Sequence, residues 1–146
     1  MQIIKQKFEI QTSQQIEFID ITKDIRVFVQ KTGIADGQIT VFSPHSTASI
    51  AMNHNEPMLI KDFIHLLYKL APIDERYNHD MFELTKKSQS DGRSNGHSHC
   101  KNLILGSSQN ILIEKGKILM GKRQSVFFVE LDGARKRDYY AQIIGE

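Results

Sequence analysis

Asn110-Ile111-Leu112-Ile113-Glu114-Lys115-Gly116-Lys117-Ile118-Leu119-Met120 is the stretch that decides the fold class. Two short apolar runs, Asn110 to Ile113 and Lys117 to Met120, flank Glu114-Lys115-Gly116-Lys117. That tetrapeptide reads as a hairpin turn, and strands joined so tightly must be antiparallel. Downstream, Val126 to Leu131 and Asp138 to Ile144 read as further strands. Val126 to Val129 is apolar on both faces, which predicts a central strand covered on both sides.

Upstream the pattern changes period twice. Ile3 to Gln11 alternates loosely and reads as a strand. Ile21, Ile25, Phe28 and Val29 share one helical face, which predicts a helix from about Thr22 to Lys31. Thr22 is its expected N-cap, Asp24 favours its first turn, and Gly33 is its expected C-cap. Gln38 to Ser43 and Ala48 to Met52 read as strands, the first ended by Pro44. Pro57 takes a first-helical position, with Asn55 or Glu56 before it. Ile60, Phe63, Ile64, Leu67 and Leu70 then form a helical stripe closed by Pro72. From Ile73 to about Asn95 no period survives, so the segment reads as a long polar loop. Regular structure resumes at Leu103 to Leu105 and runs into the strands already described. Strands dominate and two main helices lie in the first half. The expected fold is α+β, with packed, largely antiparallel sheets in one domain spanning 1–146.

Composition narrows the function classes. Of 146 residues, 40% are hydrophobic and 25% charged, ordinary values for a globular chain. The 19 basic and 17 acidic residues leave +2, too small a surplus to predict nucleic-acid binding. No apolar run approaches the roughly 20 residues that cross a bilayer, and Met1 to Ile10 lacks a signal-peptide core. A soluble, cytoplasmic protein is expected. Cys100 is the single cysteine, so it has no disulfide partner within the chain, and it reads as a small buried hydrophobe rather than a nucleophile.

Three places carry residues fit for chemistry. Ser43-Pro44-His45-Ser46-Thr47 follows a strand, a rigid platform for aiming side chains. His97-Ser98-His99 lies near Asp91 and Asn95. On an extended segment both imidazoles would share a face and could bind one metal ion, whereas on a helix they would diverge by roughly 200°. Glu130-Leu131-Asp132-Gly133-Ala134-Arg135-Lys136-Arg137 turns between two apolar strands, and its arginines suit a phosphate ester or a solvated face equally. His65 falls on the polar side of the second helix and carries no role.

Together with Asn53-His54-Asn55-Glu56-Pro57, Tyr77-Asn78-His79-Asp80, Asn95-Gly96-His97-Ser98-His99, Leu105-Gly106-Ser107-Ser108, Gly116, Gly121 and Gln124, these motifs resemble the YjbQ family, also described as secondary thiamine-phosphate synthases. The resemblance covers nearly the whole chain. It implies an α+β domain assembled as a homotrimer that takes a small phosphorylated substrate, and in so small a trimer a site near a subunit interface is the favoured of two placements, within or between subunits. Carried over residue by residue, it makes His45, His97 and His99 candidate ligands of a divalent metal, zinc foremost. The catalytic candidates are His45, Glu56, Asp91, His97 and His99, with Glu56 or Asp91 moving a proton. Ser43, Thr47, Asn55, His79, Asn95, Gln124, Arg135 and Arg137 are the substrate-binding candidates, the two arginines for phosphate.

The activity implied joins hydroxymethylpyrimidine pyrophosphate to a thiazole phosphate and releases pyrophosphate. A metal-assisted hydrolase of a phosphorylated or amide-containing metabolite, and a non-enzymatic trimeric module that binds metal or metabolite, are the alternatives. Five positions depart from the family pattern. Gly121-Lys122-Arg123-Gln124 stands where Gly-Thr-Trp-Gln is common, Ser46 stands for threonine, Ala134 for proline, and Cys100 for an apolar residue.

Overall fold

The computed structural model describes residues 1–85 and 93–146. Two antiparallel sheets are built from β1 (Gln2–Gln11), β2 (Glu17–Asp20), β3 (Gly37–Phe42), β4 (Ala48–Asn53), β5 (Ser108–Glu114), β6 (Lys117–Ile118), β7 (Ser125–Glu130) and β8 (Lys136–Gly145). The larger sheet runs β1-β8-β3-β5-β6 and the smaller β2-β7-β4. Among the described residues, four helices join them: α1 (Thr22–Thr32), α2 (Pro57–Leu70), α3 (Asn78–Thr85) and α4 (Gly96–Leu105). The expected α+β architecture with antiparallel sheets is therefore what forms.

The deciding hairpin is present. Ile113 pairs with Ile118 and Glu114 with Lys117, and Lys115 and Gly116 take φ of 51° and 74°. Two successive positive φ values match the right-handed twist of the strands they join.

Strand β7 is central in its sheet, between β2 and β4. Its alternation assigns two cores. Val126 and Phe128 face the larger sheet, packing with Ile39, Val41, Tyr139, Ala141 and Ile143 and with Ile25, Phe28 and Val29 of α1. Phe127 and Val129 point the other way, toward Leu67, Ile60 and Ile64 of α2 and Leu105 of α4. All four side chains are buried, as the two-faced apolar run predicts.

Four local expectations need correction. Thr22 is the first helical residue and not the N-cap. Its Oγ1 accepts from the Val126 N–H (2.8 Å), while Asp20 Oδ1 accepts from the Thr22 N–H (2.9 Å). The segment read as a loop from Ile73 to Asn95 contains α3 in its described part. Leu103 to Leu105 ends a helix rather than forming a strand, so His97 and His99 are helical and their side chains diverge. Cys100, expected to be buried, is exposed on that helix. No helix among the described residues is long and apolar enough to cross a membrane.

Candidate active site

The turn between β7 and β8 meets the N-terminus of α4, and a polar cluster forms there. Gly133 lets the turn pack closely on the segment between β1 and β2, because a Cβ at that position would collide with the Gln14 carbonyl oxygen and the Glu130 side chain. Gly96 does the same for α4, whose first turn lies against the Tyr77 ring. Asp80 of α3 fixes that turn from outside. Its Oδ1 accepts from the Gly96 N–H (2.9 Å) and its Oδ2 from Ser94 Oγ (2.8 Å).

Asp132 is the centre of the cluster and only 4% exposed. Its Oδ2 accepts from Asn95 Nδ2 at 3.0 Å and from Arg135 Nη2 at 2.9 Å. Its backbone oxygen accepts from Arg135 Nε (3.0 Å) and Arg93 Nη1 (3.1 Å). On its other side, Asn95 Oδ1 lies 3.1 Å from His79 Nε2, and His79 is exposed. The His79 and His99 rings meet edge to face at 4.7 Å.

This order fixes the protons. A carboxylate only accepts, so Asn95 must turn its amide N–H toward Asp132 and its oxygen toward His79. His79 Nε2 must then donate, which leaves Nδ1 as the nitrogen that gains or loses a proton.

His97 lies deeper, 1% exposed, with Lys101 one turn on and 0% exposed. Lys101 Nζ donates to the Ala71 carbonyl (2.6 Å) and lies 2.9 Å from His97 Nδ1. Burial, then the adjacent ammonium, pushes the His97 imidazole below its ordinary range. Neutral His97 accepts from Lys101 at Nδ1, so its proton sits on Nε2. Burial brings Lys101 down to about 8.

The other candidates lie elsewhere. His45 Nε2 is 3.0 Å from Asp138 Oδ1, and Lys7 Nζ is 3.0 Å from Asp138 Oδ2. Lys7, by hydrogen bond, holds the Asp138 carboxyl below its usual value. Ser43 Oγ closes its own loop on the Ala48 carbonyl (2.8 Å). Arg137, expected to grip phosphate, is buried and aims its fork at Glu130, with Nε to Oε2 at 2.9 Å and Nη2 to Oε1 at 2.7 Å. Thr47 Oγ1 accepts a further bond from the same guanidinium (2.8 Å). Glu56 caps α2, accepting from the Met58 and Leu59 N–H groups, which hold its carboxyl below the usual range. Asn55 Nδ2 donates to Asp20 Oδ2 (2.9 Å), and Gln124 Oε1 accepts from the Gly121 N–H (2.8 Å). Asp91 lies outside the described residues.

Of the sequence candidates, His79, Asn95, His99 and Arg135 therefore come together, with His97 behind them. Asp132 and Lys101 received no role from sequence. The signal for Lys101 was available: His97 and Lys101 are four apart, one helical face, once 96–105 is read as helix. The expected metal set does not assemble in one chain. Among the described residues no three His, Cys, Asp or Glu side chains converge, His45 engages Asp138, and the Lys101 ammonium opposes a cation at His97 Nδ1.

Comparison with known proteins places the chain. The family described as UPF0047 protein YjbQ-like matches residues 6–146. A UPF0047 protein of Methanothermobacter thermautotrophicus is 34% identical over 146 residues, covering 100% of this chain and 95% of the relative. The UPF0047 protein YugU of Bacillus subtilis is 31% identical, covering 94% of this chain and 96% of its own. A crystal structure of a YbjQ-like protein of unknown function from Sulfolobus solfataricus superposes with a TM-score of 0.90 at 29% identity, covering 99% of both chains. With the family match spanning the β7–β8 turn and α4 alike, the chain belongs to the YjbQ-like UPF0047 family.

Proposed function

We propose that the chain is a small-metabolite enzyme whose acid–base group is His79, oriented through Asn95 by Asp132. The observation that carries this reading is the line Asp132–Asn95–His79, at 3.0 and 3.1 Å, running from a buried carboxylate to an exposed imidazole. A histidine so held exchanges its proton at one nitrogen only, as a general acid or base requires. Arg135 spends Nε and Nη2 on Asp132, leaving Nη1 for a substrate oxygen. A phosphorylated substrate suits that guanidinium.

The reaction to assay first is coupling of hydroxymethylpyrimidine pyrophosphate to thiazole phosphate. In that reaction His79 gives its Nδ1 proton to the departing pyrophosphate while Arg135 balances its charge. No step is routed through a divalent ion, because the expected zinc donors do not converge among the described residues of one chain. The trimer and the interfacial site belong to the same proposal, and light scattering in solution reads the subunit count directly.

Pyrophosphate release by the wild type should fall about 10²–10⁴-fold in His79→Gln. Asp132→Asn should fall as well, because an amide there can donate as well as accept and no longer fixes the Asn95 orientation. Full activity in His79→Gln would sink the acid–base assignment. A wild type that hydrolyses phosphate esters without coupling would move the reading to the hydrolase. Binding without turnover would move it to the metabolite-binding module.

A further inference from the structure

The exposed face of α1 carries Lys23 and Arg26, which form no ion pair among the described residues. Lys23, Arg26 and Gln30 recur at helical spacing and line a cleft of about 550 Å³. Lys122 and Gln124 form part of the facing wall. A neighbouring hollow of about 250 Å³ shares Arg26 and Gln30 and adds Lys117. The two make one trough with four cations: Lys23, Arg26, Lys117 and Lys122.

None of these cations forms an ion pair among the described residues. The one acid lining the trough is Asp20, and its carboxylate is already occupied. Oδ1 accepts from the Thr22 N–H at 2.9 Å and Oδ2 from Asn55 at 2.9 Å. Asp24, next along the helix, instead engages the buried Tyr139. With a net charge of only +2 over the whole chain, four unopposed cations around one hollow are a local concentration, not a general excess.

We infer that this trough binds the diphosphate group of a small metabolite. Four cations on two facing walls match a group with several negative oxygens better than a single carboxylate. The volume is that of a small-molecule site, and Gln30 and Gln124 add neutral donors. This site is separate from the His79 centre, and either reading can fail alone.

The probe is inorganic pyrophosphate, titrated calorimetrically at low ionic strength against orthophosphate and ADP. Pyrophosphate should bind with a Kd of roughly 1 mM or tighter, and more tightly than orthophosphate. ADP tighter than pyrophosphate would identify a diphosphate ester as the occupant, and equal affinity the diphosphate group alone. The triple variant Lys23→Gln, Arg26→Gln, Lys122→Gln should weaken binding about tenfold or more. These residues are exposed, so the fold should survive, which circular dichroism checks. A control variant, Lys31→Gln, Lys61→Gln, Lys69→Gln, removes equal charge elsewhere on the surface and should bind as the wild type does. No pyrophosphate binding, or equal weakening in the control, would overturn the assignment.

Discussion

Arg137→Ala should lose about 3–5 kcal/mol of folding stability, read as a lower guanidinium midpoint at neutral pH. The size follows from what the arginine leaves behind. Glu130 is 0% exposed and accepts bonds from Thr12 Oγ1 (2.9 Å), the Leu131 and Asp132 N–H groups (3.0 and 2.9 Å) and the Arg137 fork. Burial alone would raise its carboxyl, but the hydrogen bonds from Arg137 and the backbone win and hold it below the usual range. Removing the arginine strands a buried carboxylate.

The pH dependence checks the cause. The folded carboxyl titrates below its unfolded value of 4.5, so its contribution is present above that pH and is lost as pH falls through the folded value. The gap between wild type and Arg137→Ala should therefore narrow on acidification, because the variant's carboxyl can protonate. A gap under about 1 kcal/mol at neutral pH, the range of an exposed pair, would mean that Glu130 is not desolvated as described.

Lys101 predicts a slope of the same sign in a more alkaline window. Its ammonium titrates at about 8 in the fold against 10.5 unfolded, so the unfolded chain holds the extra proton between those values. Stability should rise with pH across that window, because the buried charge is a burden only while it persists. Between pH 7 and pH 9.5 the gain is about 2 kcal/mol, and it should vanish in Lys101→Met. Comparing the two proteins cancels the remaining titrations. Tyr139 is one, raised by burial and therefore destabilising only above its ordinary range. An equal slope in both proteins would show that Lys101 is hydrated in solution. The variant also frees His97 Nδ1, which should restore part of the imidazole's basicity in an NMR titration.

Apart from β2 (Glu17–Asp20), which was not read, the strands and the first two helices were legible because apolar spacing reported them. The two-faced run Val126 to Val129, the Lys115-Gly116 turn and the Pro57 start each carry their signal within a few residues. Helix α4 carries none. Gly96-His97-Ser98-His99-Cys100 contains weak helix formers, and its buried positions are polar: His97, Ser98 and Lys101. Contacts across the chain hold it instead, from Asp80 to its first turn and from Ser98 Oγ to the Leu131 carbonyl (2.5 Å). Of the two conformations open to that segment, the extended one would have let His97 and His99 share a metal, and the helix that forms turns them apart. Asp132 was quoted as part of a turn, but nothing in its neighbours announces that Asn95, 37 positions earlier, will lie against it.

Strand β8 lies between β1 and β3 and pairs with β1 from Gln2–Gly145 to Gln11–Lys136. Strand β1 is therefore translated long before the strand it pairs with. Until residues 136–145 emerge, β1 has no neighbour in the sheet and the β3 edge that β8 will cover stays open to solvent. Such late closure of distant partners slows folding and leaves the nascent chain exposed to aggregation and proteolysis. A chain stalled before residue 136 should be cut readily within residues 2–11, and protection there should arrive only with the final strand.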